Sequence, residues 1–335
     1  GLIKVKKNYF VKNTLFVITK ITKGVIMTNF KKIGLTALAG TLAATAYAQA
    51  GSLSVSGTAR MEYQSNYVTT SGVETSSEAF ANNGTLVFSG SGELDNGMTA
   101  SYYQALSDGS LTSSNAKLDM GDMGVLAMGD HNHSGIGTIS DIVPNGGEQP
   151  WDDIGTHGGH EDGVASPHTG DRLGYTTAGD IVVSVASDFA GDGATTSIAV
   201  SNSTMVDGLK VAVGIADVQS TQALEDDLET YGFSYTMGSI SFGAQKTKVS
   251  AEAANSDIER DGYGVSFAVN ENLSVGMGVS NVEYDAKGND EESTEYGATY
   301  TSGGMTLGFQ NITKDNINGT AVDHEMTELQ LTFAF

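Results

Sequence analysis

Five of the six histidines in this sequence, His131, His133, His157, His160 and His168, lie within or at the start of one stretch between about 131 and 169. The same stretch carries Asp141, Glu148, Asp152, Asp153, Glu161 and Asp162. His157-x-x-His160-Glu161-Asp162 brings nitrogen and oxygen donors together at a spacing that could hold a metal ion. Two readings stand side by side: a metal site, with His157, His160, Glu161 and Asp162 as ligands, or a solvated Gly-rich loop in which such residues gather by composition. Calcium or magnesium suits the crowded acids better than a softer metal, because hard cations prefer oxygen ligands. No ligand set follows from the spacing, and no other cofactor is indicated.

Other chemistries find less support. The chain has no Cys, which removes disulfides, thiolate metal sites and a Cys nucleophile. Ser is abundant, but neither a nucleophile elbow nor a G-x-x-x-x-G-K-[ST] phosphate loop occurs. An enzyme would need a nucleophile and base, or paired acids, held together, and none is evident.

Acids outnumber bases by 40 to 17, and the imbalance is not uniform. Residues 1–50 hold eight Lys and no acid, so the remainder from Gly51 has a net charge of −31. Such an excess argues against nucleic acid as a partner. Hydrophobic residues make up 39% of the chain, and no long apolar run follows the N-terminal region. That argues against a helical membrane protein but leaves a β-barrel open, since a barrel wall needs apolar side chains only at alternate positions.

From Met27, Lys31 and Lys32 precede an apolar stretch from Ile33 to about Ala46, and Ala48-Gln49-Ala50 supplies small residues for cleavage. These features predict a secretory signal over 27–50, with Ala46-Tyr47-Ala48 as the alternative cleavage site. Residues 1–26 are expected to be an upstream or non-native extension.

After Ala50 the hydrophobic period is two. Leu53, Val55, Ala59, Met61 and Tyr63 alternate with Ser54, Ser56, Thr58, Arg60, Glu62 and Gln64, which is the pattern of a strand with one apolar and one wet face. The alternation recurs in Tyr263, Val265, Phe267 and Val269, and in Leu329, Leu331, Phe333 and Phe335. Sixteen strands are predicted near 51–66, 84–93, 97–106, 112–121, 123–131, 171–178, 180–189, 194–203, 208–218, 228–238, 239–250, 259–269, 272–285, 292–302, 304–314 and 322–335. One set of connections is tight and rich in Gly, Asn and Asp, as at Asp95-Asn96-Gly97 and Ser302-Gly303-Gly304. The other set is mostly longer and polar, including 67–83 and 219–227, with 131–169 the longest. Tight turns on one side and long loops on the other suit a transmembrane barrel. In lipid the sheet must close, because unbonded backbone groups there cost several kcal/mol each. Sixteen strands enclose more space than side chains fill, so the expected interior is a water-filled pore.

Strand parity places Arg60, Arg172, Arg260, Lys117 and Lys210 in the polar, pore-facing phase. They are expected either to line the pore as free charges or to pair with wall acids. Lys246 and Lys248 fall in the other phase near an outer strand end, where lipopolysaccharide phosphates or simple rim placement would account for them.

With its signal peptide, its first strand SLSVSGTARMEY, sixteen strands, one outsized third outer loop and a terminal LQLTFAF, the chain resembles the Gram-negative general porins. It most closely resembles the alphaproteobacterial group typified by Rhodobacter porin. The resemblance covers nearly all of 51–335. It implies an all-β, 16-stranded antiparallel transmembrane β-barrel in the bacterial outer membrane, assembled as a homotrimer amid outer-membrane lipids and lipopolysaccharide. Each protomer would be a general diffusion channel for small hydrophilic solutes and ions, with a substrate-specific porin as the alternative and a barrel enzyme as a more distant one. The resemblance makes Leu329, Leu331, Phe333 and Phe335 the signal read by the barrel-assembly machinery. It also implies that the third outer loop, 131–169, folds into the lumen. Asp141, Glu148, Asp152, Asp153, Glu161 and Asp162 would then face the basic wall across a constriction, with structural calcium lent some support. The net charge predicts a preference for cations.

Overall fold

The computed structural model describes residues 51–335 apart from 131–132, 141, 148–149, 151–153, 155–170, 189–193 and 222–223. The expected signal segment, the acids Asp141, Glu148, Asp152, Asp153, Glu161 and Asp162, and the histidines His157 and His160 therefore lie outside the described residues.

Sixteen strands follow in order: β1 (Ser52–Thr70), β2 (Val73–Glu93), β3 (Thr99–Ser107), β4 (Ser110–Asp119), β5 (Val125–Gly129), β6 (Arg172–Thr176), β7 (Ile181–Ser187) and β8 (Thr196–Asn202). The second half comprises β9 (Leu209–Thr221), β10 (Leu224–Met237), β11 (Ile240–Ser250), β12 (Ile258–Ala268), β13 (Leu273–Tyr284), β14 (Glu291–Ser302), β15 (Met305–Asp315) and β16 (Val322–Ala334). Each strand pairs antiparallel with its neighbours in sequence, and β16 pairs with β1, so the barrel is closed. No helix among the described residues is long and apolar enough to cross a membrane.

Alternation decides which side chains face out. Phe80, Tyr231, Tyr263, Met277, Tyr296, Phe309, Leu329 and Phe333 are exposed, while Lys314, Glu291, Glu295 and Glu328 are among the most deeply buried side chains. A soluble protein buries the first set and hydrates the second. The inversion follows from an apolar exterior suited to lipid and a polar interior.

The seam joins the predicted strands. Arg60 lies opposite Thr332 and Met61 opposite Leu331. Beyond β16, Phe335 N donates to Gly57 O at 3.0 Å and Gly57 N donates to Phe335 O at 2.8 Å, which carries the pairing to the last residue. The tight connections also form as expected: Gly238 and Gly303, both at φ 61, supply the left-handed conformation that their hairpin turns require.

Two expected loops are instead strand. The stretch 67–83 forms the outer end of one long hairpin, with Thr70 opposite Val73 and only Ser71-Gly72 between the strands. Likewise β9 runs to Thr221 and β10 starts at Leu224. The sequence Val73-Glu74-Thr75-Ser76-Ser77-Glu78 lacks apolar alternation, so period two is silent where both faces of a strand are wet. The ladder to β1 continues the strand there, with Thr75 Oγ1 also donating to Val68 O at 3.3 Å.

Candidate functional site

The pore lining divides into two unlike walls. On β1 to β4, Ser52, Ser54, Ser89, Ser91, Ser101, Tyr103, Asn115 and Lys117 share the inward phase and border a recess of about 380 Å³, with His133 beside them. Hydroxyls pair across strands there, with the Ser54 and Ser89 Oγ atoms 2.7 Å apart. Higher on β1, Arg60 Nη2 lies 3.0 Å from Glu62 Oε2, and the Arg60 side chain remains 38% exposed. Glu328 on the adjoining strand accepts a hydrogen bond from Gln64 Nε2 at 3.0 Å.

On the far side, β7 to β15, the wall is covered by the segment that follows β5. A 3-10 turn at Gly135–Ile139 buries Ile136 and Ile139. With Ile142 they pack on Ala199, Ala212, Ala216, Val218, Leu228 and Val249, all of the inward phase. Small wall residues make room for the isoleucines, and burying each one contributes about 1.5–3 kcal/mol.

Wall side chains hold the segment by its backbone. Gly135 N donates to Ser184 Oγ at 2.8 Å, and Ile136 N donates to Ser197 Oγ at 3.1 Å. Gln245 Nε2 donates to Ile139 O at 3.1 Å. Gly146 N donates to Glu295 Oε2 at 3.4 Å, and Lys314 Nζ donates to Ile154 O at 2.6 Å. These tethers were not singled out from the sequence. Their inward phase was readable, as for Glu295 between the outward Thr294 and Tyr296, but parity does not say which inward polar groups meet another segment.

The five expected wall bases share the inward phase but not one ring. Lys117 lies opposite Ser101, which leads by register through Ser91 to Ser52, eight residues along β1 from Arg60. From Lys210 the register passes through Ser234 and Gly243 to Gly264, four residues along β12 from Arg260. Lys117 leads through Ala127 to Gly174, two residues from Arg172. Arg172 and Arg260 are buried, Lys117 is exposed, and Lys210 is half-buried. Arg60 and Lys117 are thus bases that meet pore water directly.

Outside the pore, Lys246 Nζ lies 3.2 Å from Asp261 Oδ2 and pairs also with Glu259, so this outward base is matched by acids of the next strand. Leu329, Leu331 and Phe333 alternate outward along β16, opposite Tyr63, Met61 and Ala59 of β1, and Phe335 is exposed. Among the described residues, no group of three or more His, Cys, Asp or Glu is placed to hold a metal ion. The histidine-acid cluster is not among those residues.

The barrel has counterparts of known structure. An engineered variant of Rh. blastica porin superposes with a TM-score of 0.63 at 13% identity, covering 85% of this chain and 100% of that one. The anion-selective porin from Comamonas acidovorans gives 0.59 at 16% identity, and another refined porin 0.59 at 18%, each with the same two coverages. These likenesses show the shared fold. No curated protein matches the sequence. The family model described as Gram-negative porin matches residues 34–335. With that match spanning most of the chain, this protein belongs to the Gram-negative porins, the channel-forming barrels of the bacterial outer membrane.

Proposed function

We propose that this outer-membrane diffusion channel prefers cations, works as a homotrimer, and is narrowed by the segment between β5 and β6. The observation that carries the reading is the burial of Ile136, Ile139 and Ile142 against inward-facing residues of β8 to β11. A segment held on that wall reduces the open cross-section and faces the hydroxyl-lined wall of β1 to β4. The acids Asp141, Glu148, Asp152, Asp153, Glu161 and Asp162 on the segment would then face the wall that carries Arg60 and, well apart from it along the strands, Lys117. Arg172, Arg260 and Lys210 contribute further positive charge to the wall from less exposed positions. A transverse field of this kind favours water and polar solutes over apolar ones.

The sign of the preference rests on charge: −31 from Gly51 onward concentrates cations near the mouth. The Comamonas relative is described as anion-selective, so the fold does not decide the sign. Residues 27–50 serve as the export signal. Leu329, Leu331, Phe333 and Phe335 address the chain to the barrel-assembly machinery, and lipopolysaccharide surrounds the outer half.

Planar-bilayer recordings test the reading directly. Stepwise openings, a size cut-off with graded neutral solutes, and a cation-signed reversal potential in a salt gradient are expected. An anion-signed potential would overturn the cation preference. Block by a sugar or phosphate at low concentration would identify a substrate-specific porin instead.

A further inference from the structure

Gly is a poor strand residue, costing backbone entropy and offering nothing to pack, so its presence within a strand often marks the close approach of another backbone. Strands β9 to β15 each place an inward Gly between two outward apolar residues: Gly214, Gly232, Gly243, Gly264, Gly276, Gly297 and Gly308. Register joins several into a lane across the wall. Gly243 lies opposite Gly264, Gly264 opposite Gly278, and Gly276 opposite Gly297.

The segment runs along that lane. A methyl group added at Gly243 would come within 2.9 Å of Pro144 Cδ and 2.6 Å of the Phe233 carbonyl oxygen on the neighbouring strand, and one at Gly276 within 2.6 Å of the Asn145 carbonyl oxygen and 2.7 Å of the Val265 oxygen. At Gly264 it would overlap the Pro144 carbonyl oxygen and reach 2.8 Å from Val143 Cγ1. At Gly297 it would meet the Gly146 carbonyl carbon at 3.0 Å, beside Glu295 Oε1 at 2.8 Å and the Phe309 carbonyl oxygen at 2.9 Å. The fit is reciprocal: a methyl on Gly146 would lie 2.5 Å from Gly276 O and 2.6 Å from Gly297 N. Backbone oxygens cannot rotate aside as a flexible side chain does, so a Cβ at Gly264, or one on Gly146, must displace the segment. The only direction open to it is away from the wall, toward the pore axis.

We infer that Gly243, Gly264, Gly276 and Gly297, with Gly146 on the facing backbone, are specificity-determining residues that seat the segment against the wall and so set the bore available to solutes. The inference rests on the reading that this segment narrows the pore. It adds the reason for the bore: four absent side chains, rather than the charges displayed on the segment, fix the segment's standoff from the wall.

Three test substitutions and one control separate the two ideas, measured as single-channel conductance and neutral-solute cut-off of the full-length barrel in planar bilayers. Gly137→Trp tests the narrowing itself, because a Cβ at Gly137 meets open space and its bulk would enter the lumen. Gly264→Ala and Gly146→Ala test the seat, and both should lower conductance and cut-off. Gly308→Ala is the control, since its Cβ would meet only Gln330 Cβ at 3.8 Å, and it should leave both unchanged. If Gly264→Ala fails to fold, Gly146→Ala still decides, because it lies outside the strand ladders. A loss of conductance in Gly137→Trp with wild-type values in a folded Gly146→Ala would overturn the seat and leave the narrowing intact. Wild-type conductance in Gly137→Trp would overturn both.

Discussion

Lys314 on β15 donates from Nζ to the Ile154 carbonyl at 2.6 Å, tying the inner segment at Ile154 to a wall strand adjoining the seam strand β16. The lysine is fully buried, as are Ile154 and Ile312 nearby. A charge-assisted hydrogen bond of this kind contributes about 1.5–3 kcal/mol. Lys314→Met should therefore keep the barrel, lower its resistance to urea in detergent, and add open-channel noise as the segment loosens at Ile154. Quiet, wild-type openings would show that the tether does not hold the segment.

The near end depends on packing. Ile136 is fully buried within an apolar cluster and sits over Gly214. Ile136→Ala should cost about 2–5 kcal/mol of segment docking, by the usual price of a buried cavity. Conductance is the decisive readout, because the sixteen-strand ladder does not involve this side chain.

Arg60 and Glu62 occupy successive inward positions of β1 and form an ion pair. Glu62→Gln removes the counter-charge and should move the reversal potential toward anions. Arg60→Ala should move it the other way. Equal shifts of the same sign in both variants would exclude the pair as a source of ion preference.

The predicted preference should also fade with salt. Screening shortens the range of charge from about 10 Å at 0.1 M to about 3 Å at 1 M. Reversal potentials taken at a fixed concentration ratio should fall as the mean salt concentration rises. A preference that persists unchanged at 1 M would point to close-range ion coordination in the pore.

Phe335 joins the seam through its backbone, while its ring stands exposed outside. Phe335→Ala keeps the backbone pair with Gly57. It should reduce the amount of protein reaching the outer membrane, measured by fractionation, without altering the conductance of the channels that do arrive. Altered conductance with normal yield would assign the ring a role in closing the barrel rather than in its delivery.

Sequence reading was strongest where neighbours along one strand suffice. Tyr263 and Val265 set the phase of β12, and that phase carries Arg260 inward with them facing out. It was weaker at Val73 to Asn83, where polar residues on both faces hide a strand held by its ladder to β1. It did not single out Glu295 or Gln245, because an inward polar residue reads the same whether it meets water or a passing backbone. Nor did parity reveal that Arg60 and Lys117 reach pore water while Arg172 and Arg260 are covered.

By itself the sequence determined the number and phase of the strands, the tight turns and the pairing of the Phe335 strand with that of Arg60, because alternation and turn chemistry act over a few residues. Only the tertiary structure decided how far the strands extend, which wall bases stand apart, and where the inner segment lies along Gly243, Gly264, Gly276 and Gly297. Those are relations between distant strands and between two backbones, fixed by register, closure and close approach rather than by the order of residues in any one strand.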